Sequence, residues 1–471
     1  MEVIPDWLKE EPYVWAVTTP NLKRFCSFCL QRRTENRPVS KCGNCNFIYY
    51  CSVDCQRSDW TDHKTECKLI REVFMAKKKG ELPANLGADF PDDMVRMMSR
   101  LVHKLQKEKE AGTETVMGGR CWTDLHMDIK SMKDTEAHYE QYQSFCDRYA
   151  IFVGRNPWKI HEKRMELFYS RARLNQFSIT DDKIQPIGRG LYLSLSRLQH
   201  SCEPNARLMF AGKKCYVIPV NYRKFDPDEL QWSRITVSKI NNLLPLDERR
   251  KILKENYFID CECVGCSNEN RNKDMISAAC RKFMCKGRVV NLGEQQEEQK
   301  FVCDRCCEQL DSESLRNLAD AIQIANDAMA RISEPQLENS KKLELAEMVV
   351  SKLSRTLYKF NNTRIRFYSF AHEFGIIEAQ NVKKKLRQQA WEKAAKYGDE
   401  VYEAYGHYLG DYDPVKLVFA AQLSSCWLGA GDQETAMSLM FNSQKKYLHM
   451  YLKDSDGMND ILRLMKNSNL S

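Results

Sequence analysis

Cys26-Ser27-Phe28-Cys29 opens a run that continues through Cys42-Gly43-Asn44-Cys45 and Cys51-Ser52-Val53-Asp54-Cys55 to His63-Lys64-Thr65-Glu66-Cys67. Eight soft ligands fall within 42 residues. Zinc takes four such ligands in a closed structural site, so the run suits two ions. Short C-x2-C turns let two sulfurs face one ion. His63 and Cys67 stand four residues apart, so one helical face presents both. Asp59, Trp60 and Asp62 read as the first turn of that helix. Buried free cysteines are the bland alternative, and the spacing argues against it.

Two further clusters follow. Cys261-x-Cys263-x2-Cys266 supplies three thiolates and lacks a fourth. Cys280-x4-Cys285 and Cys303-x2-Cys306-Cys307 read as a small zinc ribbon. Cys306 is preferred there as the fourth ligand, with Cys307 as its competitor. Cys121, Cys146, Cys215 and Cys426 are left as ordinary thiols. The opening Met1-Glu2-Val3-Ile4-Pro5-Asp6 is not a charged-then-apolar leader, so 20 cysteines read as metal ligands before disulfides.

With 471 residues the chain exceeds one compact core and suggests two to four domains. A hydrophobic content of 43% suffices for packed cores. Mean hydropathy is −0.57, and no apolar run reaches the ~18 residues of a membrane span. Secreted and membrane classes are therefore disfavoured. The net charge is +8, and it is uneven. Residues 21–80 hold 13 Lys and Arg against six acids. Such a patch attracts nucleic acid or an acidic protein. A solvated basic surface explains it equally well.

From Gly188-Arg189-Gly190 onward the pattern is β-like. Ala206–Phe210 and Lys214–Ile218 flank Ala211-Gly212 as a hairpin. Leu230 to Lys239 reads as the next strand. Asp247-Glu248-Arg249-Arg250 starts a helix that runs to Tyr257. Earlier, Glu136, Tyr139, Tyr142, Phe145 and Tyr149 recur at helical intervals, as do residues from Lys159 to Phe168. Beyond residue 311 helical periodicity takes over. Leu315, Leu318, Ile322, Ala325 and Met329 form one stripe; Leu345, Val349, Leu353 and Leu357 form another. Tyr405-Gly406, Asp413-Pro414 and Gly429-Ala430-Gly431-Asp432 read as breaks between helices.

The first cluster resembles a MYND zinc finger, and Gln199-His200-Ser201-Cys202-Glu203-Pro204-Asn205 resembles the N-H-S-C-x-P-N motif of SET domains. In this order the parts resemble the SET and MYND domain family over most of the chain. The resemblance implies an α+β fold, with a split SET β-fold interrupted by the finger. Its parts would be an N-terminal SET fragment (1–20), the MYND finger (26–67), a helical insertion (69–180) and a SET core (184–242). A post-SET and ribbon region (243–310) and an all-α, tetratricopeptide-like lobe (311–471) would follow. The family's interleaved pairing implies one site from Cys26, Cys29, Cys51 and Cys55 and another from Cys42, Cys45, His63 and Cys67. It also implies Cys202 as the fourth ligand beside Cys261, Cys263 and Cys266. Three zinc ions are then expected, with Cys280, Cys285, Cys303 and Cys306 as a further site.

SET enzymes of this family move a methyl group from S-adenosylmethionine to a lysine amine, an in-line displacement that depends on positioning. The resemblance implies Asn175, Gln199 and His200 at the cofactor and Phe177 beside both pockets. It implies Tyr257 in the lysine channel. Several positions depart from the pattern. The family's G-x-G loop would lie before Met1. Gln199 replaces an asparagine, Leu125-His126-Met127-Asp128 replaces L-x-S-N, and Ile259 replaces an aromatic. Lys239 stands where the catalytic tyrosine belongs. An ammonium ~4 Å from a sulfonium costs ~4 kcal/mol at an effective dielectric of ~20, about a thousandfold in rate.

These departures predict a catalytically degenerate protein that works as a protein-binding regulator. An active histone or non-histone lysine methyltransferase is the alternative. Expected partners are proteins, including proline-containing peptides on the finger and lysine-bearing substrates. Nucleic acid is a weaker candidate and a membrane is not expected. A monomer in the nucleus or cytoplasm completes the expectation.

Overall fold

The computed structural model describes residues 9–83, 86, 87, 89–154, 162–181, 183–220, 232–291 and 300–449. The first eight residues, Lys159, Leu230 and the chain beyond residue 449, all included in the expectations above, lie outside it. The architecture is α+β: small sheets, cysteine-rich centres and a C-terminal stack of helices.

Two short N-terminal strands join sheets whose other strands come more than 150 residues later. Val14–Val17 pairs antiparallel with Pro186–Leu191, which also pairs with Gln176–Thr180. Lys9–Glu10 pairs with Lys214–Pro219, which forms the hairpin with Ala206–Ala211. Gly188 lies opposite Val17, and a Cβ there would meet the Ala16 carbonyl oxygen at 2.8 Å. Only glycine permits that approach. The buried Glu10 carboxylate clasps the two sheets together by accepting from the amides of Ser194 (3.1 Å) and Leu195 (3.0 Å).

The finger between these strands is carried by one long helix, Val53–Lys78. Ser52 caps it by accepting from the Cys55 amide at 3.1 Å. The helix therefore starts before Asp59, Trp60 and Asp62, which lie in its interior and not in its first turn. Asp59 is fully buried there.

Its partner is the second helix, Asp93–Ala111, capped by Asp92. Arg100 on this helix donates to Asp59 at 2.9 and 3.0 Å and to Glu66 at 2.9 and 2.6 Å. Tyr50 donates to Asp59 at 2.6 Å. Arg96 sits 3.7 Å from Glu66 and donates to the carbonyl oxygens of Val17 and Pro91. All these charged groups are buried. Burial would raise the Glu66 pKa, but Arg100, His63 and Arg96 outweigh it and hold the carboxyl below the ordinary range.

In the insertion, Glu136–Val153 buries Tyr142, Phe145 and Tyr149, whereas Tyr139 faces outward. The strand expected from Leu230 to Lys239 is much shorter. A 3-10 turn occupies Trp232–Arg234, and among the described residues of that stretch only Thr236–Val237 pairs, in parallel, with Gln199–His200. Ser238 then turns away, its hydroxyl donating to the Ile240 carbonyl at 2.8 Å. The helix Leu246–Tyr257 follows.

Six helices from Ser312–Ile332 to Gln433–His449 stack in chain order, each on the next. The first buries Ala321, Ala325, Ala328 and Ile332, so Ile322 stands outside the expected stripe and is exposed. Gly406 does not break a helix; Lys384–Tyr408 runs through it. Gly406 lies only two residues from the helix end, where the local cost of glycine is overridden by packing. The stack meets the hairpin and the helical segment that follows the sheets through Arg207 and the buried Asp413 at 2.7 Å, and through Arg271, which donates to the Tyr408 carbonyl at 3.1 Å. No described helix is long and apolar enough to cross a membrane.

Arg100→Ala leaves two buried carboxylates without their main partner. It should cost about 3–5 kcal/mol, read as a lower urea midpoint than wild type.

Candidate functional site

Four groups of ligand atoms come together, each with all atoms within 4.8 Å of one another. They are Cys26, Cys29, Cys51 and Cys55; Cys42, Cys45, His63 and Cys67; Cys202, Cys261, Cys263 and Cys266; and Cys280, Cys285, Cys303 and Cys306. A tetrahedral zinc with Zn–S bonds of ~2.3 Å sets its sulfurs about 3.8 Å apart. Observed S···S separations are 3.7 Å for Cys29–Cys51, 3.9 Å for Cys42–Cys67, 3.7 Å for Cys202–Cys266 and 3.8 Å for Cys285–Cys303. Each group offers four soft ligands and no open position, so the four are possible structural zinc sites. Zinc there would supply cross-links and no chemistry.

Local sequence explains most of these ligands, whereas Cys202 joins Cys261, Cys263 and Cys266 from 59 positions upstream. Cys55, His63 and Cys67 share the long helix, two turns and then one turn apart. His63 presents Nε2 to Cys45 at 3.7 Å, and its Nδ1 meets Glu66 at 2.9 Å. Such a carboxylate fixes the orientation of a ligating imidazole. Sequence reading missed Glu66; its position three residues after His63 was the available signal. In the ribbon, a Cβ at Gly287 would meet Cys303 Sγ at 2.5 Å. Cys307, next to Cys306, is exposed and outside the group.

A second locus grows out of the third group. His200 follows Gln199 in the strand paired with Thr236–Val237. Its Nδ1 accepts from the Lys239 backbone amide at 3.0 Å, and its Nε2 lies 3.3 Å from Cys202 Sγ. Burial, then the charges of Lys239 and Arg249, push the His200 pKa down to about 4. The ring is therefore neutral near pH 7, with its proton on Nε2 facing the sulfur. Tyr257 donates from its hydroxyl to the Lys239 carbonyl at 3.3 Å.

The Lys239 side chain enters an aromatic slot. Its ammonium lies 5.7 Å from the Phe177 ring centroid and 5.4 Å from that of Tyr257. Burial lowers its pKa, and among the described residues no carboxylate forms an ion pair with it. Burial raises the Tyr257 pKa against the pull of Arg173. Lys239, Tyr257, His200 and Phe177 are thus brought together.

The other expected site residues are placed differently. Asn175 is buried, and its amide nitrogen donates to the carbonyls of His126 and Arg171, both at 2.7 Å. This ties it to the segment Leu125–Asp128. Gln199 is exposed. Ile259 packs with Tyr257 and Leu253 around the third cysteine group.

Residues 26–67 match the MYND finger family model. The chain is 26% identical to SET domain-containing protein 14 of Caenorhabditis elegans over 460 residues, 97% of this chain and 96% of that protein. It is 25% identical to Histone-lysine N-methyltransferase ASHR1 of Arabidopsis thaliana over 447 residues, 92% and 84% of the two chains. It is 23% identical to N-lysine methyltransferase SMYD2-B of Xenopus laevis over 422 residues, 89% and 82%.

Metal analysis of the purified chain should find about four zinc ions. Cys306→Ser should lose about one of them and Cys307→Ser none, as read by plasma mass spectrometry.

Proposed function

We infer, from the match to the MYND finger and the similarity to these relatives over most of the chain, that this chain is a member of the SET and MYND domain family and a protein-binding regulator whose methyl-transfer centre is disabled. The observation that carries this is the Lys239 ammonium between Phe177 and Tyr257. By the family resemblance, those rings line the channel for an incoming lysine. A resident cation fills that space and repels both a second ammonium and a sulfonium.

The expected cofactor contacts support the same reading. The Asn175 amide nitrogen is spent on two carbonyls, and both His200 ring nitrogens are engaged. What remains suits protein recognition. The finger is available for peptides. An open cleft of about 540 Å³ lies between the SET region and the helical stack, lined by Glu203, Arg207, Val220, Asn242, Leu409 and Tyr412. A segment of a partner protein fits such a cleft, in the nucleus or the cytoplasm.

Active lysine methylation is the second reading. It is favoured by the methyltransferase names of two relatives and by the burial that lowers the Lys239 pKa. A neutral amine would not repel the sulfonium.

Calorimetry of S-adenosylmethionine with the zinc-loaded, full-length chain separates the two. Under the regulator reading no binding appears, with Kd above about 1 mM. One-to-one binding at micromolar Kd would sink it and favour the enzyme.

A further inference from the structure

The ribbon and the start of the helical stack form a second concave surface that the reading above does not use. The ribbon's strands are Ala278–Ala279, Arg288–Asn291 and Phe301–Cys303. Beside them lie the helices Ser312–Ile332 and Asn339–Thr356. Between ribbon and helices is an open pocket of about 430 Å³. Arg281 enters it from the ribbon, and Lys352 and Arg355 enter from the second helix. The apolar floor includes Leu310 and Leu318. Three cations thus face one carboxylate, that of Asp320.

None of the three cations forms an ion pair among the described residues. Arg281 donates to the hydroxyl of the buried Ser314 at 2.6 Å, which holds its guanidinium at the pocket. Lys352 and Arg355 are exposed on one face of their helix, three residues apart. Three cations that converge on a concavity lined by a single carboxylate leave a net positive charge that attracts an anion there.

A second, independent feature adjoins the pocket in the chain. Phe283 and Met284, two and three residues after Arg281, are 91% and 84% exposed. Met284 holds a left-handed backbone at φ 58°. The loop is anchored at its base, where the Cys280 amide donates to the Gly287 carbonyl at 3.3 Å. Two large apolar side chains held in water on an anchored loop are a surface for a partner to bury. Lys282 and Lys286 flank them.

We propose that this face docks an acidic segment of a protein partner. Its carboxylates pair with Arg281, Lys352 and Arg355, and an apolar side chain covers Phe283 and Met284. A peptide fits better than a polynucleotide or a membrane. The pocket is concave, and Asp320 in its wall repels a continuous line of phosphates, whereas a peptide can set an amide or a cation beside it. The proposal stands whether or not S-adenosylmethionine binds elsewhere.

The test uses the full-length, zinc-loaded chain and a labelled decapeptide that alternates glutamate with leucine and phenylalanine, read by fluorescence anisotropy. The wild type should bind it, and affinity should fall about tenfold between about 50 and about 300 mM salt. The double variant K352E/R355E changes two exposed positions, and its fold is checked by zinc content and circular dichroism. It should lose at least about tenfold in affinity at low salt. Phe283→Ser with Met284→Ser should weaken binding and leave the salt dependence in place. The proposal is overturned by a wild type that does not bind, or by charge reversal without effect in a folded variant. Tighter binding of a single-stranded oligonucleotide or of phosphatidylserine vesicles, lost in the same variant, would also overturn it.

Discussion

Arg100 sits between Asp59 and Glu66 with all three side chains buried, and much of the N-terminal half depends on that contact. Asp59 and Glu66 belong to the helix that carries three of the finger's ligand residues. Arg100 belongs to the insertion. One helical turn earlier, Arg96 donates to the carbonyl of Val17 at the end of the strand Val14–Val17. The finger, the insertion and the split sheet therefore meet in one charged network. Two carboxylates and two guanidiniums balance in number, and Tyr50 and His63 take further lone pairs. Balance is what makes the burial tolerable, because removing either sign leaves an uncompensated charge in a dry interior.

The network also explains how a chain interrupted by a zinc finger keeps one sheet. Val14–Val17 reaches Pro186–Leu191 across an intervening stretch of more than 160 residues. The loop-closure cost of such pairing is met by packing, and the inserted elements supply it. Arg100 lies 5.9 Å from the Trp15 ring, and Lys104 donates to the Tyr13 carbonyl at 2.8 Å. The insertion helix thus covers the strand along its length. The finger's cysteines fold that region locally, and the arginines dock it.

The clustered ligands were legible in the sequence because pair spacing is local: residues two to five apart can share an ion without knowledge of the fold. Which pairs of the finger share one ion came only from the family resemblance, because the pairing is interleaved. Cys202 was reached only through the SET motif, since 59 residues separate it from Cys261. The Asp59 network was not legible: Arg100 lies 41 residues from Asp59, and no spacing rule links them. Asp59 and Asp62 looked like first-turn acids because helix starts favour acids, yet Ser52 had already capped the helix. Ile322 looked like core because alternation of alanine and larger residues leaves the burial face ambiguous; small Ala321, Ala325 and Ala328 face inward because they allow close helix packing. The short Thr236–Val237 pairing was missed because β-branched residues continue on both sides of the turn that ends it.

Lys239 is where sequence and structure inform each other most. Resemblance put a lysine in the place of a tyrosine, and that alone left its side chain free to point anywhere. The structure fixes the backbone on both sides, through His200 at the amide and Tyr257 at the carbonyl. With both backbone groups held, the side chain enters between two rings. His200 in turn faces Cys202, so the slot is built on the third cysteine group. The aromatic slot and the third cysteine group form one unit, and a chain in which those four ligands are not held together would lose the geometry that positions Lys239. Failure of the metal-free protein to bind a ligand would therefore say nothing about Lys239, and only the zinc-loaded chain isolates the effect of its charge.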